Sequence, residues 1–239
     1  MKVLLMPALT VRNKISGVIL SLFLTTYAHA GIMPSSTVVM IPDGEKEGAI
    51  DIKNTGNDSI LLYSKIVKLS DDDLGGGTLY TSPPTIVVGP GDTQTVRLIF
   101  KSNRALDREH LARVVFSGLP PRKNDKSPRV QFAIAQDLPV VVGVLPSIME
   151  KDLWTMIDYR FKGNQVCLHN PTRKVFRFNN TMKLSNPVEN IVFQNTYLLP
   201  DSEICTKARG KLSPSTSLHF TTVSSFNLKI SDHEITLKN

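Results

Sequence analysis

The 239-residue sequence contains few of the residues that catalytic and ligand-binding chemistry is usually built from. It has two cysteines, one tryptophan and five histidines, and aromatic residues make up only 7%. The histidines are His29, His110, His169, His219 and His233, and no pair of them has a spacing that suggests a metal site or a catalytic triad. No nucleophile elbow, P-loop, zinc motif or dinucleotide fingerprint is present, and the carboxylates form no recognisable acid/base pair. The expectation is a protein that is not an enzyme and uses no metal and no cofactor. The scarcity of aromatics also counts against a carbohydrate-binding sandwich, and Trp154 is expected in a core. Beyond residue 26 no apolar run is long enough to span a bilayer, so stable membrane insertion is not expected. The aspartates in residues 69–77 have the look of a calcium loop but lack the EF-hand ligand order, and a flexible, solvated loop is the simpler reading.

The excess of positive charge is smaller than the formal +7 implies. Lys2, Arg12 and Lys14 lie in an N-terminal segment whose loss lowers it to +4. Arg122, Lys123, Lys126 and Arg129 form a small cluster without interleaved aromatics. That pattern reads as a solvated loop, and no nucleic-acid partner is expected. Two cysteines in an exported chain, Cys167 and Cys205, read most simply as one disulfide; metal binding is the weaker alternative.

The evidence for export is the N-terminus. A basic stretch precedes an apolar run at 15–26, and Ala28-His29-Ala30 has the small-x-small pattern of a cleavage site. Residues 1–30 are therefore expected to be a cleaved signal peptide. The remainder of the chain is dominated by strand-like runs between Gly, Pro, Asn and Asp turns. They lie at 37–41, 49–54, 60–69, 85–88, 93–100, 112–118, 129–144, 153–161, 165–169, 174–183, 190–193, 217–223 and 225–230. Only 103–110 looks helical. This spacing predicts all-β sandwiches. The strand pattern stops at Leu145-Pro146-Ser147, which predicts two domains, 31–145 and 146–239.

One run stands out. From 130 to 144 the even positions carry Val130, Phe132, Ile134, Leu138, Val140, Val142 and Val144, and only Gln136 interrupts them. Such alternation predicts one long strand with an apolar face. Pro139 has no N–H to donate and places the strand at a sheet edge. A long apolar edge invites pairing with another chain, or with a second copy of itself when free.

Several segments together resemble the periplasmic chaperones of the chaperone–usher pilus pathway. Residues 112–121 (ARVVFSGLPP) are similar to that family's penultimate first-domain strand. Ser82-Pro83-Pro84 followed by residues 90–98 (PGDTQTVRL), Asp51-Ile52-Lys53-Asn54-Thr55-Gly56, and Leu168-His169-Asn170-Pro171-Thr172 resemble further family motifs, in family order. The resemblance implies two immunoglobulin-like β-sandwich domains in an L or boomerang arrangement. It implies a periplasmic protein that stabilises fimbrial subunits by donor-strand complementation and passes them to an outer-membrane usher. Val130, Phe132 and Ile134 match the family's alternating donor residues, with Leu138 and Val140 as weaker candidates in the same strand. Burying three such side chains would contribute about 5–8 kcal/mol before the cost of association.

The best-known branch of the family clamps the subunit's terminal carboxylate with an arginine and a lysine. Here those positions align with Val38 and Pro139, which resembles the archaic or alternate branches and leaves the anchor unassigned. Arg97, Arg113, Lys65 and Lys68 are the basic residues available to replace it. The alternative reading is an exported Ig-like structural or adhesive fimbrial component. That reading fits less well, because the best alternation is internal and the mature N-terminus (Gly31-Ile32-Met33-Pro34) carries none.

Overall fold

The computed structural model describes residues 31–120, 133–145 and 151–238. The expected signal peptide lies outside these residues. So do the basic cluster at Arg122, Lys123, Lys126 and Arg129, the donor candidates Val130 and Phe132, and Pro146 and Ser147 of the expected linker.

Residues 31–145 supply nine strands: β1 (Ile32–Pro34), β2 (Val39–Pro42), β3 (Glu47–Asn54), β4 (Ile60–Lys68), β5 (Thr78–Ser82), β6 (Thr85–Val88), β7 (Thr93–Lys101), β8 (His110–Leu119) and β9 (Ala135–Val144). They form two sheets, ordered β1-β3-β7-β5 and β2-β9-β8-β4-β6. Period-2 patterning builds the layer between them. On β7, Val96, Leu98 and Phe100 point inward while Thr95, Arg97 and Ile99 face out. Leu62, Val114 and Phe116 from the other sheet meet them in the same fully buried core.

Residues 151–238 supply β10 (Asp158–Lys162), β11 (Gln165–His169), β12 (Phe176–Arg177), β13 (Thr181–Ser185), β14 (Val188–Val192), β15 (Tyr197–Leu198), β16 (Glu203–Lys207), β17 (Ser217–Val223) and β18 (Lys229–Thr236). The sheet β10-β11-β16 and the pair β12-β15 enclose a second core with the sheet β14-β13-β17-β18. Trp154 packs against this core and stacks on His233 at 4.0 Å. Cys167 and Cys205 face each other across β11 and β16 and form the disulfide. Closing a loop of 38 residues removes unfolded-state entropy worth about 4 kcal/mol.

Each sandwich is pinned by one buried asparagine in a motif position. Asn54 Nδ2 donates to the carbonyls of Asp58, Val88 and Gly89 at 2.9–3.1 Å, and its Oδ1 accepts from Gly56 N. Asn170 Nδ2 donates to Lys174, Leu198 and Leu199, and its Oδ1 accepts from the backbone and hydroxyl of Thr172. Each side chain thus ties together carbonyls from two separate stretches of the chain.

Several expectations from sequence are corrected. Residues 103–109 form bends and irregular backbone, not a helix. Ser102 bonds the Arg104 backbone in both directions, a local alternative to helical pairing, and His110 already belongs to β8. The aspartate-rich loop is not a loose, solvated one. Asp72 is buried and accepts from Leu74 N, Leu111 N and His110 Nδ1, which draws Leu74 into the core. The run at 153–161 opens with a 3-10 turn, Leu153–Met156, before β10. The run at 174–183 splits into β12 and the start of β13, and most of 225–230 is a turn preceding β18.

Between the two cores lies a third apolar cluster. Val38, Leu111 and Val141 meet Val175 and Leu199, with Tyr197 against them. At its margin Glu109 and Lys174 form an ion pair at 3.3 Å, with side chains only 5% and 8% exposed.

Candidate functional site

The strand that the alternation singled out has two halves with different neighbours. β9 pairs antiparallel with β8 along residues 135–142. On its other side β2 runs parallel to it, but only from Val140 onward. The edge of residues 135–139 therefore has no partner among the described residues. Pro139 sits at the boundary. The expectation of an edge strand holds for this half and fails for 140–144, which is an interior strand.

This difference sorts the candidate residues. Ile134 precedes β9 and is 48% exposed. Leu138 packs against the first core and Val140 is fully enclosed in it, so neither presents a free apolar side chain. The correction for Val140 follows from β2. Once a second strand covers that edge, alternation reports the protein's own core and not a surface for a partner.

The outer face of the same sheet carries an apolar row. The register sets Val87, Leu61 and Leu119 side by side, with Tyr63 in the next row and Val67 beyond. All five are exposed. The outer face of the opposite sheet is mixed: Glu47, Asp51 and Lys53 on β3 and Thr93, Thr95, Arg97 and Lys101 on β7 share it with exposed Met33, Tyr80 and Ile99. An exposed apolar row on the sheet that carries an open edge is the pattern of a docking surface.

Arg113 lies where these features meet. It stands opposite Pro139 in the β8–β9 register, and Val67 stands opposite it on the other side. Its Nε donates to Asp137 Oδ1 at 2.8 Å and its Nη2 to the Asp137 carbonyl at 3.0 Å. Of the other basic candidates, Lys65 shares this outer face, opposite Val115 and one row from Arg113. Arg97 is on the opposite sheet, 3.7 Å from Glu47, and Lys65 and Lys68 are exposed on β4. Val38, at one aligned anchor position, is buried in the apolar cluster between the cores, and Pro139 is buried at the other. Nearby, the Tyr197 hydroxyl is 3.3 Å from both Asp71 carboxylate oxygens. Burial, and then the Asp71 charge, push the Tyr197 phenol up to about 12.

Glu109 is a residue that sequence reasoning missed. Its carboxylate accepts from Leu145 N at 3.2 Å and Val175 N at 2.9 Å, while Lys174 Nζ also donates to the Leu145 carbonyl. One buried carboxylate thus holds the exit of β9 to the chain entering β12. Asp72 is the other missed residue. Burial opposes its ionisation, but bonds from His110, Leu111 N and Leu74 N outweigh that and hold the carboxyl below its usual range.

Comparison with known proteins agrees with this architecture. Residues 31–143 match the family model described as pili and flagellar-assembly chaperone, PapD N-terminal domain. The chain is 33% identical to the fimbrial chaperone YhcA of Escherichia coli K12 over 189 residues, covering 78% of this chain and 84% of that protein. Among solved structures, the Salmonella enterica SafA pilin–SafB chaperone complex matches with a TM-score of 0.70 at 16% identity, over 89% of this chain and 99% of the other. The Pseudomonas aeruginosa CupB2 chaperone matches with a TM-score of 0.67 at 17% identity, over 86% of this chain and all of the other. Those two likenesses establish the two-sandwich fold, while the family model and YhcA establish kinship with chaperones and not with an enzyme class. With its open edge, its exposed apolar row and its paired immunoglobulin-like sandwiches, the chain belongs to the pilus-assembly chaperone family.

Proposed function

We propose that this chain is a periplasmic chaperone that binds fimbrial subunits by donor-strand complementation and delivers them to an outer-membrane usher. The observation that carries the reading is the open edge of β9 at residues 135–139, continuous with the alternating segment Val130, Phe132 and Ile134. An incoming subunit strand would pair its backbone with this edge, and alternate side chains of the donor segment would fill the subunit's groove. No cofactor or nucleotide takes part. The first sandwich (31–145) carries the binding surface, and the second (146–239) packs against it.

The same reading assigns the anchor for the subunit's terminal carboxylate to Arg113. A guanidinium binds carboxylates through parallel N–H bonds. Arg113 already holds one carboxylate, and Asp137 is exposed enough to be displaced by another. The apolar side chains at Val38 and Pro139 cannot take this role.

The test is co-expression of Phe132→Asp and Ile134→Asp variants with the candidate subunits encoded in the same gene cluster. The expected result is loss of soluble one-to-one complex while the chaperone itself stays folded. Undiminished complex would overturn the reading.

A further inference from the structure

We infer that the turn between β17 and β18, at the tip of the second sandwich, is a binding contact for the end of the subunit strand that pairs with β9. This inference rests on the donor-strand reading of β9 and adds a residue pair in the other domain. The lane beside β9 is divided. From Val140 onward β2 occupies that lane, and over residues 135–139 it is open. A strand added to the open stretch in the same direction as β2, parallel to β9, therefore lies end to end with β2, and its last residues abut the segment leading into Val39.

The second sandwich reaches that point. Thr37 Oγ1 donates to the carbonyl of Phe226, at the tip of the β17–β18 turn. The turn is held in shape before any partner arrives. Ser224 N donates to the Leu228 carbonyl, Asn227 N to the Ser224 carbonyl, and Leu228 N to Ser224 Oγ. Arg177 Nη1 donates to the Ser225 carbonyl at 3.0 Å. Asn227 adopts the left-handed conformation at φ 61°, which asparagine tolerates better than most residues. On this prearranged frame Phe226 is 48% exposed and Leu228 66%. Two large exposed apolar side chains on a hydrogen-bonded turn whose Phe226 carbonyl meets Thr37, close to where an added strand must stop, suit the apolar side chains of an extended chain end. Because the turn is already ordered, contact there carries little further entropic cost.

The experiment places the photo-crosslinker p-benzoylphenylalanine at 134, 226, 228 and, as a control on the opposite sheet, 99, with each variant co-expressed with the gene-cluster subunits. The expected result is subunit crosslinked from 134, 226 and 228 but not from 99. Capture from 134 without capture from 226 or 228 overturns this inference and leaves the donor-strand reading intact. Loss of capture from 134 overturns both. In parallel, a Phe226→Ser/Leu228→Ser variant should melt like the parent and recover about tenfold less subunit, the scale set by uncovering two half-exposed apolar side chains. Unchanged recovery overturns the inference.

Discussion

Lys174 Nζ lies 3.3 Å from Glu109 Oε1, and the pair is buried where the two sandwiches meet. The Glu109 carboxylate also takes the amides of Leu145 and Val175, so it cannot leave without stranding donors from both domains. A lysine and a glutamate 65 positions apart in sequence thus act as one fastening.

Removing the cation alone should therefore be costly. Lys174→Ala leaves a buried carboxylate unpaired, a change that typically costs about 3–5 kcal/mol. Urea denaturation should show a loss on that scale, and Lys174→Met combined with Glu109→Gln should recover part of it. A loss below about 1 kcal/mol, the range of an exposed pair, would mean that the fastening is not buried in solution.

Arg113 and Asp137 should behave in the opposite way, with small effects on stability and large ones on binding. Arg113→Ala removes a charge-assisted contact worth about 1.5–3 kcal/mol, so recovered subunit should fall at least about tenfold. Arg113→Lys should not restore it, because an ammonium lacks the guanidinium's planar fork. Asp137→Asn should preserve or raise binding by freeing the guanidinium. Equal binding by the parent and Arg113→Ala in quantitative pull-downs would remove Arg113 from the site.

The two buried asparagines provide a matched pair of stability tests. Asn54→Ala uncovers the carbonyls of Val88 and Gly89, and Asn170→Ala uncovers those of Lys174, Leu198 and Leu199. Each unsatisfied buried group costs about 1–3 kcal/mol, so either variant should lose at least about 2 kcal/mol. Thermal denaturation should show comparable losses for both, although they lie in different sandwiches.

Stability should decline in acid, in two steps. Burial against Trp154 lowers His233 below its ordinary 6.5, so the folded form resists a proton that the unfolded chain accepts. That contribution is present above pH 6.5 and is lost as the pH falls through the lower folded value. Asp72, also depressed, contributes above 3.8 and loses its contribution below that. Denaturation midpoints at pH 7.5, 5.5 and 3.5 should fall in order, and His233→Gln should flatten the first interval.

Strands with strict alternation and clear turns at both ends are legible from sequence. β6, β11 and β17 lie where the pattern puts them. β1 and β15 are only three and two residues long and carry too little pattern, while β16 (Glu-Ile-Cys-Thr-Lys) offers only Ile204 and Cys205 as apolar residues. Val140 reads as a surface candidate because alternation reports a face and not what covers it; the covering strand, β2, lies about a hundred residues earlier. The link between Arg113 and Asp137 depends on the β8–β9 register, which single-strand patterns do not contain. The motif asparagines are visible as motifs, but their work of tying together carbonyls from two stretches emerges only once those stretches are brought together.

The row formed by Val87, Leu61 and Leu119 keeps three apolar side chains in contact with water. Wetting apolar surface is unfavourable, so any partner that covers the row removes that cost. If the proposed subunit covers this row, soluble yield should follow subunit abundance more closely than it follows the protein's own rate of synthesis.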